Sequence, residues 1–137
     1  MKKNKIVILM AVAALLLASL ACNALAGGPL SLTNAHMASD VDDTNQSSVY
    51  SPSDPTFYCF FDLSNAPDST VVKGVWTLVS AEGYDSNSEI DSAEITGGDN
   101  TYYFSLDRSG DAWPVGTYKI ELYLNGSLVQ TVEFEVQ

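Results

Sequence analysis

Basic residues are scarce in this chain, and half of them are crowded at one end. Of its six lysines and arginines, Lys2, Lys3 and Lys5 fall in the first five positions, which leaves Lys73, Arg108 and Lys119 for everything after them. The seventeen acids all lie beyond residue 30. The part of the chain past its first segment therefore carries a net charge of about −14, a surface that repels phosphate backbones and anionic headgroups alike. Nucleic-acid binding is excluded on this ground, and charge would not draw the domain onto a membrane. Histidine is scarcer still. The single one, His36 in "TNAHMAS", has neither Cys nor His at ligand spacing, so a zinc site built from Cys and His cannot be assembled. No serine stands in a G-x-S-x-G context, and a Ser-His-Asp triad would have to use His36 with no serine placed beside it. A glycine-rich phosphate loop is missing too, since Gly97-Gly98 belongs to the turn "TGGDN". These absences predict a chain that is not an enzyme and needs no cofactor.

Long apolar runs are also lacking, with one exception. After the N-terminal lysines comes an uncharged stretch from Ile6 to Ala21, 16 residues long, whereas a membrane span needs about 20. A basic start, a short apolar centre and small residues at its end make a secretory signal peptide over 1–21. "ASLAC" before Cys22 resembles the lipobox of bacterial lipoproteins, although Ser19 stands where that family most often has Leu. The resemblance implies that Cys22 takes a diacylglyceryl group and that the acyl chains then hold the protein stably at a membrane. Two other readings stay open: ordinary cleavage after Ala24-Leu25-Ala26 with free secretion, and an uncut leader acting as a short anchor.

Cysteine arithmetic follows. The second of the two cysteines, Cys59 in "FYCFFDL", loses its only possible intramolecular partner if Cys22 is acylated or removed. Alternation puts Phe57, Cys59, Phe61 and Leu63 on one face, and no basic residue is near, so Cys59 is predicted to be a buried small hydrophobe rather than a reactive thiol.

Beyond a Gly- and Pro-containing tether (22–30), apolar residues recur with period two in short runs bounded by Gly, Pro, Asn, Asp and Ser. No run has a helical period. Strands are predicted near 31–38, 56–63, 71–80, 89–96, 101–107, 116–124 and 127–136, and the polar 40–55 stretch as a surface connection. Seven strands over 31–137 fit an all-β, antiparallel immunoglobulin-like or fibronectin-like sandwich. At the end of the chain, "LYLNGSLVQTVEFEV" reads as a hairpin. A two-residue turn at Asn125-Gly126 would send Phe134 and Val136 to the solvent side, so a three-residue loop of Leu124, Asn125 and Gly126 is expected, pairing Leu122 with Leu128 and Tyr118 with Val132. "PVGTYKI" carries the sign of a tyrosine corner, with Tyr118 bonding back to backbone near Trp113. Cys59, Ile120 and Trp76 should pack together where antibody domains place a disulfide and its tryptophan. The Cys59-to-Trp76 spacing favours an immunoglobulin-like topology over a true antibody-type domain.

From about residue 53 to the end, "DPTF", "SNAP", the Trp of the third strand and "WPVGTYKIELYLNG" running into "FEV" make the chain similar to bacterial exported immunoglobulin-like domains of the kind often found in lipoproteins. The resemblance implies fold and location, and accessory or adhesion-type roles rather than a chemistry.

Two features come nearest to a site. Asp40, Asp42 and Asp43, with Asn45, offer clustered oxygens of the sort calcium favours, as do Asp85, Glu89 and Asp91, but the first group lacks the Gly and Glu of an EF-hand loop, and solvated loop acids are the plainer reading. If Cys59 faces inward, Tyr58 and Phe60 face outward, and by the same parity so does Tyr103 on a neighbouring strand. The three are expected to form one exposed aromatic patch for a protein or glycan, unless the 40–55 connection folds over them. The function that follows is a non-catalytic binding or structural module. It is displayed outside the cytoplasm by a lipid anchor and engages an envelope or extracellular protein; a carbohydrate- or small-ligand-binding accessory domain, with calcium support, is the alternative.

Overall fold

The computed structural model describes residues 28–137. The leader at 1–21, Cys22 and the tether as far as residue 27 lie outside the described residues. Eight strands follow one another with no helix between them: β1 (Ser31–Ala38), β2 (Val49–Tyr50), β3 (Thr56–Ser64), β4 (Val71–Ala81), β5 (Ser88–Thr96), β6 (Asn100–Asp107), β7 (Gly116–Leu124) and β8 (Ser127–Val136). They form two sheets, one in the order β1-β3-β6 and the other β2-β8-β7-β4-β5. All pairings are antiparallel except that of β2 with β8. This is an immunoglobulin-like sandwich, its larger sheet extended by an edge strand beyond β4.

The predicted strands match seven of these. The eighth, β2, lies inside the stretch read as a surface connection. That stretch crosses from the edge of one sheet to the edge of the other, and on the way it lays Tyr50 over the end of the core. Tyr50 is buried, and its hydroxyl donates to the Ala38 carbonyl at 2.8 Å. A two-residue strand surrounded by polar residues leaves no periodicity to read.

The closing hairpin departs from its expected geometry while reaching the expected result. Leu124 pairs with Ser127 across a two-residue turn whose Asn125 and Gly126 have φ of 47° and 88°. Both positive values belong to a type I′ turn, the form whose twist suits flanking strands. Between Leu122 and Tyr123 the register then slips by one, so that Leu122 faces Gln130, Ile120 faces Val132 and Tyr118 faces Phe134. A bulge at Val129 therefore does the work assigned to a longer loop. It carries Phe134 and Val136 into the core and leaves Leu128 and Val129 exposed.

The interior has the predicted parity. Cys59, Trp76 and Ile120 are buried, with Trp76 directly opposite Ile120 across β4 and β7. Tyr118 makes the corner, its hydroxyl donating to the Pro114 carbonyl at 2.6 Å. Close approach of the sheets depends on Gly74 in β4: a Cβ there would lie 2.7 Å from the ring of Phe104 in the opposite sheet.

Gly74→Ala should therefore cost about 1–3 kcal/mol, the range for overpacking a fixed core. Asn125→Ala should cost about 1–2 kcal/mol, because Ala tolerates the left-handed region less well than Asn and because the acceptor for the Val71 N–H is lost. Guanidinium unfolding of each variant checks both values.

Candidate functional site

The expected aromatic residues do come together on the outer face of the smaller sheet. Phe60 in β3 sits opposite Tyr103 in β6, with ring centroids 5.2 Å apart, and Tyr58 meets Tyr103 edge-on at 5.9 Å. Their exposures differ. Tyr103 is 44% exposed, Tyr58 is half-buried and Phe60 only 6% exposed. The patch is thus narrower than its sequence implied, because His36 stacks on Phe60 at 5.9 Å with a 15° angle between the rings. A bulge in β1, with Asn34 at φ 55°, brings the His36 ring over its neighbour. The ring is held at both nitrogens. Nδ1 lies 2.7 Å from the Asn34 carbonyl and Nε2 2.8 Å from a carboxylate oxygen of Asp43 in the following loop. The 40–55 connection therefore reaches the patch through one acid, and neither nitrogen of His36 is free for general-base work.

Two of the three loop acids expected as weak calcium ligands have other partners. Asp40 accepts from the Thr44 backbone N–H at 2.9 Å and from its hydroxyl at 3.0 Å. The Thr44 N–H bond is the main reason its carboxyl lies below the ordinary aspartate value. Asp43 is committed to His36, and Asp42 is exposed. Asp40, Asp42 and Asp43 do not converge, and among the described residues no group of three or more His, Cys, Asp or Glu side chains is arranged to hold a metal ion.

Cys59 is fully buried and unpaired, and burial pushes its thiol up to about 12. The thiolate, which is the nucleophile, is correspondingly suppressed.

Two concavities were not legible in the sequence. The outer face of the larger sheet curves into a shallow groove of about 670 Å³. Lys73, Glu89, Glu94 and Tyr123 are among its walls, together with the Lys119–Glu121 ion pair at 3.2 Å. A second cavity of about 390 Å³ opens at the end of the sandwich where β3 begins and β6 ends, lined by Leu78, Tyr84, Ile90, Arg108, Trp113 and Pro114 among others. Its residues come from four separated segments, and only the three-dimensional fold brings them together.

No family model matches the chain, and no curated protein matches it in sequence. Solved structures do resemble it. The alkylpurine DNA glycosylase AlkC of Pseudomonas fluorescens, bound to DNA containing an abasic site analog, aligns at TM-score 0.52 and 14% identity over 81% of this chain and 31% of its own. An immunoglobulin-like protein of Pseudomonas aeruginosa aligns at TM-score 0.49 and 14% identity over 80% of this chain and 93% of its own. The beta-D-glucoside glucohydrolase of Trichoderma reesei aligns at TM-score 0.48 and 14% identity over 81% and 19%. At such identity the likeness to the glycosylase concerns the fold alone, and this chain spans less than a third of that protein.

The buried thiol gives stability a defined alkaline dependence. Its folded value is raised, so its contribution is complete below the unfolded value of about 9 and is lost as pH rises from there toward about 12, at up to about 1.4 kcal/mol per pH unit. Guanidinium unfolding at pH 8 and pH 10 should show this loss, and Cys59→Ala should show a shallower one. Iodoacetamide should leave Cys59 unmodified at pH 8 until denaturant is added.

Proposed function

We propose that this chain is a non-catalytic binding and structural module, exported, anchored by acyl chains on Cys22 and engaging a protein partner on the extracytoplasmic side. One observation carries this reading: the disposition of the side chains most able to do chemistry or to bind. His36 has both nitrogens engaged, and Cys59 is sealed in the core with a raised pKa. Large apolar side chains, by contrast, stand in solvent, among them Tyr103, Tyr84 and Val115 at 44, 58 and 59% exposed. Exposed aromatics of this kind supply contact area at low entropic cost. The immunoglobulin-like sandwich suits the role as a rigid scaffold, and its N-terminal approach suits an anchor. Asn65 holds the Pro29 carbonyl at 3.3 Å, so the chain enters at the end of the sandwich where β3 finishes, away from Tyr84 and Val115. A carbohydrate-binding role is favoured by the groove on the larger sheet, where Tyr123 stands among Lys and Glu side chains.

Two measurements on the full-length chain in a bacterial host test the reading. Alkyne-palmitate labelling should mark the protein and fractionate it with membranes, and Cys22→Ala should abolish both. A photo-crosslinking residue in place of Tyr103 should give one discrete adduct with a second protein, lost when Tyr58→Ser is added while the melting temperature stays within a few degrees. Cytoplasmic, unlabelled protein would overturn the anchoring. A crosslinked sample with no adduct at all would overturn this face as the binding surface.

A further inference from the structure

The cavity at the end of the sandwich combines apolar walls with an arginine that has no acidic partner. Leu78, Ile90, Ala112, Trp113 and Pro114 supply its apolar lining, with Tyr84 at its rim 58% exposed. The polar atoms of its two buried aromatic walls are already used: Trp113 Nε1 donates to the Asp54 carbonyl at 2.8 Å, and the Tyr118 hydroxyl donates to Pro114. Arg108 is the one charged group in the lining. Its Nε donates to the Gly110 carbonyl at 3.0 Å and its Nη1 to the Ser53 carbonyl at 2.6 Å. Backbone thus fixes the guanidinium without neutralising it. Nη2 makes no hydrogen bond among the described residues, and no carboxylate there lies within ion-pair distance. In a chain with seventeen acids, none of which lines this cavity, that is a positive point left open to solvent.

The cavity continues into an unpaired strand edge. β5 is the last strand of the larger sheet, with β4 on one side and no strand on the other among the described residues. It starts at Ser88 beside the cavity and runs away from it to Thr96. A bulge at Ile90, where Trp76 faces Asp91 and Thr77 faces Glu89, marks the place where the edge joins the cavity wall. An extended peptide added antiparallel to β5 therefore runs toward the cavity and ends in it. Along the way it passes Glu89, Asp91 and Glu94, all exposed.

We infer that this end of the molecule captures the carboxyl terminus of an extended, basic peptide. Main-chain bonds to the β5 edge would hold the strand, the terminal side chain, apolar and of Leu or Phe size, would fill the cavity, and the terminal carboxylate would meet Arg108. Charge selects this occupant over a lone carboxylic acid: a domain near −14 repels a small anion, whereas lysines or arginines upstream of the terminus are matched by the acids of β5. The cavity, about 390 Å³, has room for one such side chain together with its terminal carboxylate. Tyr58, Phe60 and Tyr103 are not among its lining residues and stand on the outer face of the smaller sheet, so the site stands or falls independently of that face.

The test uses the full chain in mild detergent and a fluorescent hexapeptide pool with Lys at alternate positions and Leu or Phe last. The free-acid pool should bind saturably by polarisation, and C-terminal amidation should weaken it by about tenfold or more, as loss of a charge-assisted bond requires. Arg108→Gln should bind acid and amide pools alike. Because that change also removes loop contacts, Ala112→Trp, which fills the cavity from its wall, should abolish binding while keeping the parent's circular dichroism and melting temperature. Equal binding of acid and amide pools by the parent protein, or no binding of the acid pool at millimolar peptide, would overturn the inference. So would 3-phenylpropionate competing as well as the peptides do, which would make the occupant a small acid, or a neutral oligosaccharide displacing them, which would make it a glycan.

Discussion

The ring of Phe57 lies at 4.2 Å, stacked, from Trp113, at 4.9 Å from Phe134 and at 4.7 Å from Tyr50. Those four residues belong to β3 of one sheet, β8 and β2 of the other, and the loop between β6 and β7. Tyr118 adds a further edge contact at 5.8 Å. Each such aromatic pair is worth about 0.5–1.5 kcal/mol beyond area burial. The cluster also has consequences beyond energy. It fixes Trp113, and Trp113 fixes the loop that carries Arg108, Gly110 and Pro114. The fold at this end is held by aromatic contacts, and everything displayed there inherits its position from them.

Why the register of β8 matters becomes clear from the same cluster. Phe134 reaches Phe57, Tyr50, Tyr118 and Trp76 only from the inner face. A type I′ turn alone would put it outside, and the bulge at Val129 corrects the parity. Turn chemistry and core parity are two separate demands on one hairpin, and the chain meets them with two separate devices. The tight turn satisfies backbone twist at Asn125-Gly126, while the extra residue is absorbed where Leu128 and Val129 can remain exposed.

The strands were readable because alternation over eight or more residues has one interpretation, and the core residues Cys59, Trp76, Ile120 and Tyr118 followed from it. Three things were not readable, each for a physical reason. Alternation fixes which face a residue takes but not where a bulge absorbs a misfit, so parity alone calls for a hairpin loop one residue longer than the one that forms. β2 is too short to have a period, and Tyr50 is buried by a crossing that polar neighbours conceal. Parity sent Phe60 outward correctly, yet whether an outward residue is exposed depends on what covers it, and the His36–Asp43 contact joins residues seven apart through a kink that no pattern announces. Of the surface features, the aromatic triad was visible as a pattern within strands. The cavity was not, since Leu78, Ile90, Arg108 and Trp113 come from segments whose adjacency is created only by closing the sandwich.

The scarcity of cations gives the position of Arg108 its meaning. At physiological ionic strength charges are screened over about 8 Å, so most of the acids act on a ligand only once it is near the surface. Within that distance the local arrangement decides, and here it is divided: the β5 edge is acidic, and the cavity beside it holds a single guanidinium with no counter-charge in its lining. An arginine paired with an acid would present little net field. One held by the Ser53 and Gly110 carbonyls keeps its full charge in a fixed orientation, and its Nη2 is left to donate to a carboxylate. The loop that positions it is tied to the core by Trp113, which stacks on Phe57 and donates its backbone and indole N–H groups to the Pro52 and Asp54 carbonyls. A recognition site of this kind requires rigidity at its charged end and an open edge along its length, and the sandwich supplies the first through the Phe57 cluster and the second through β5.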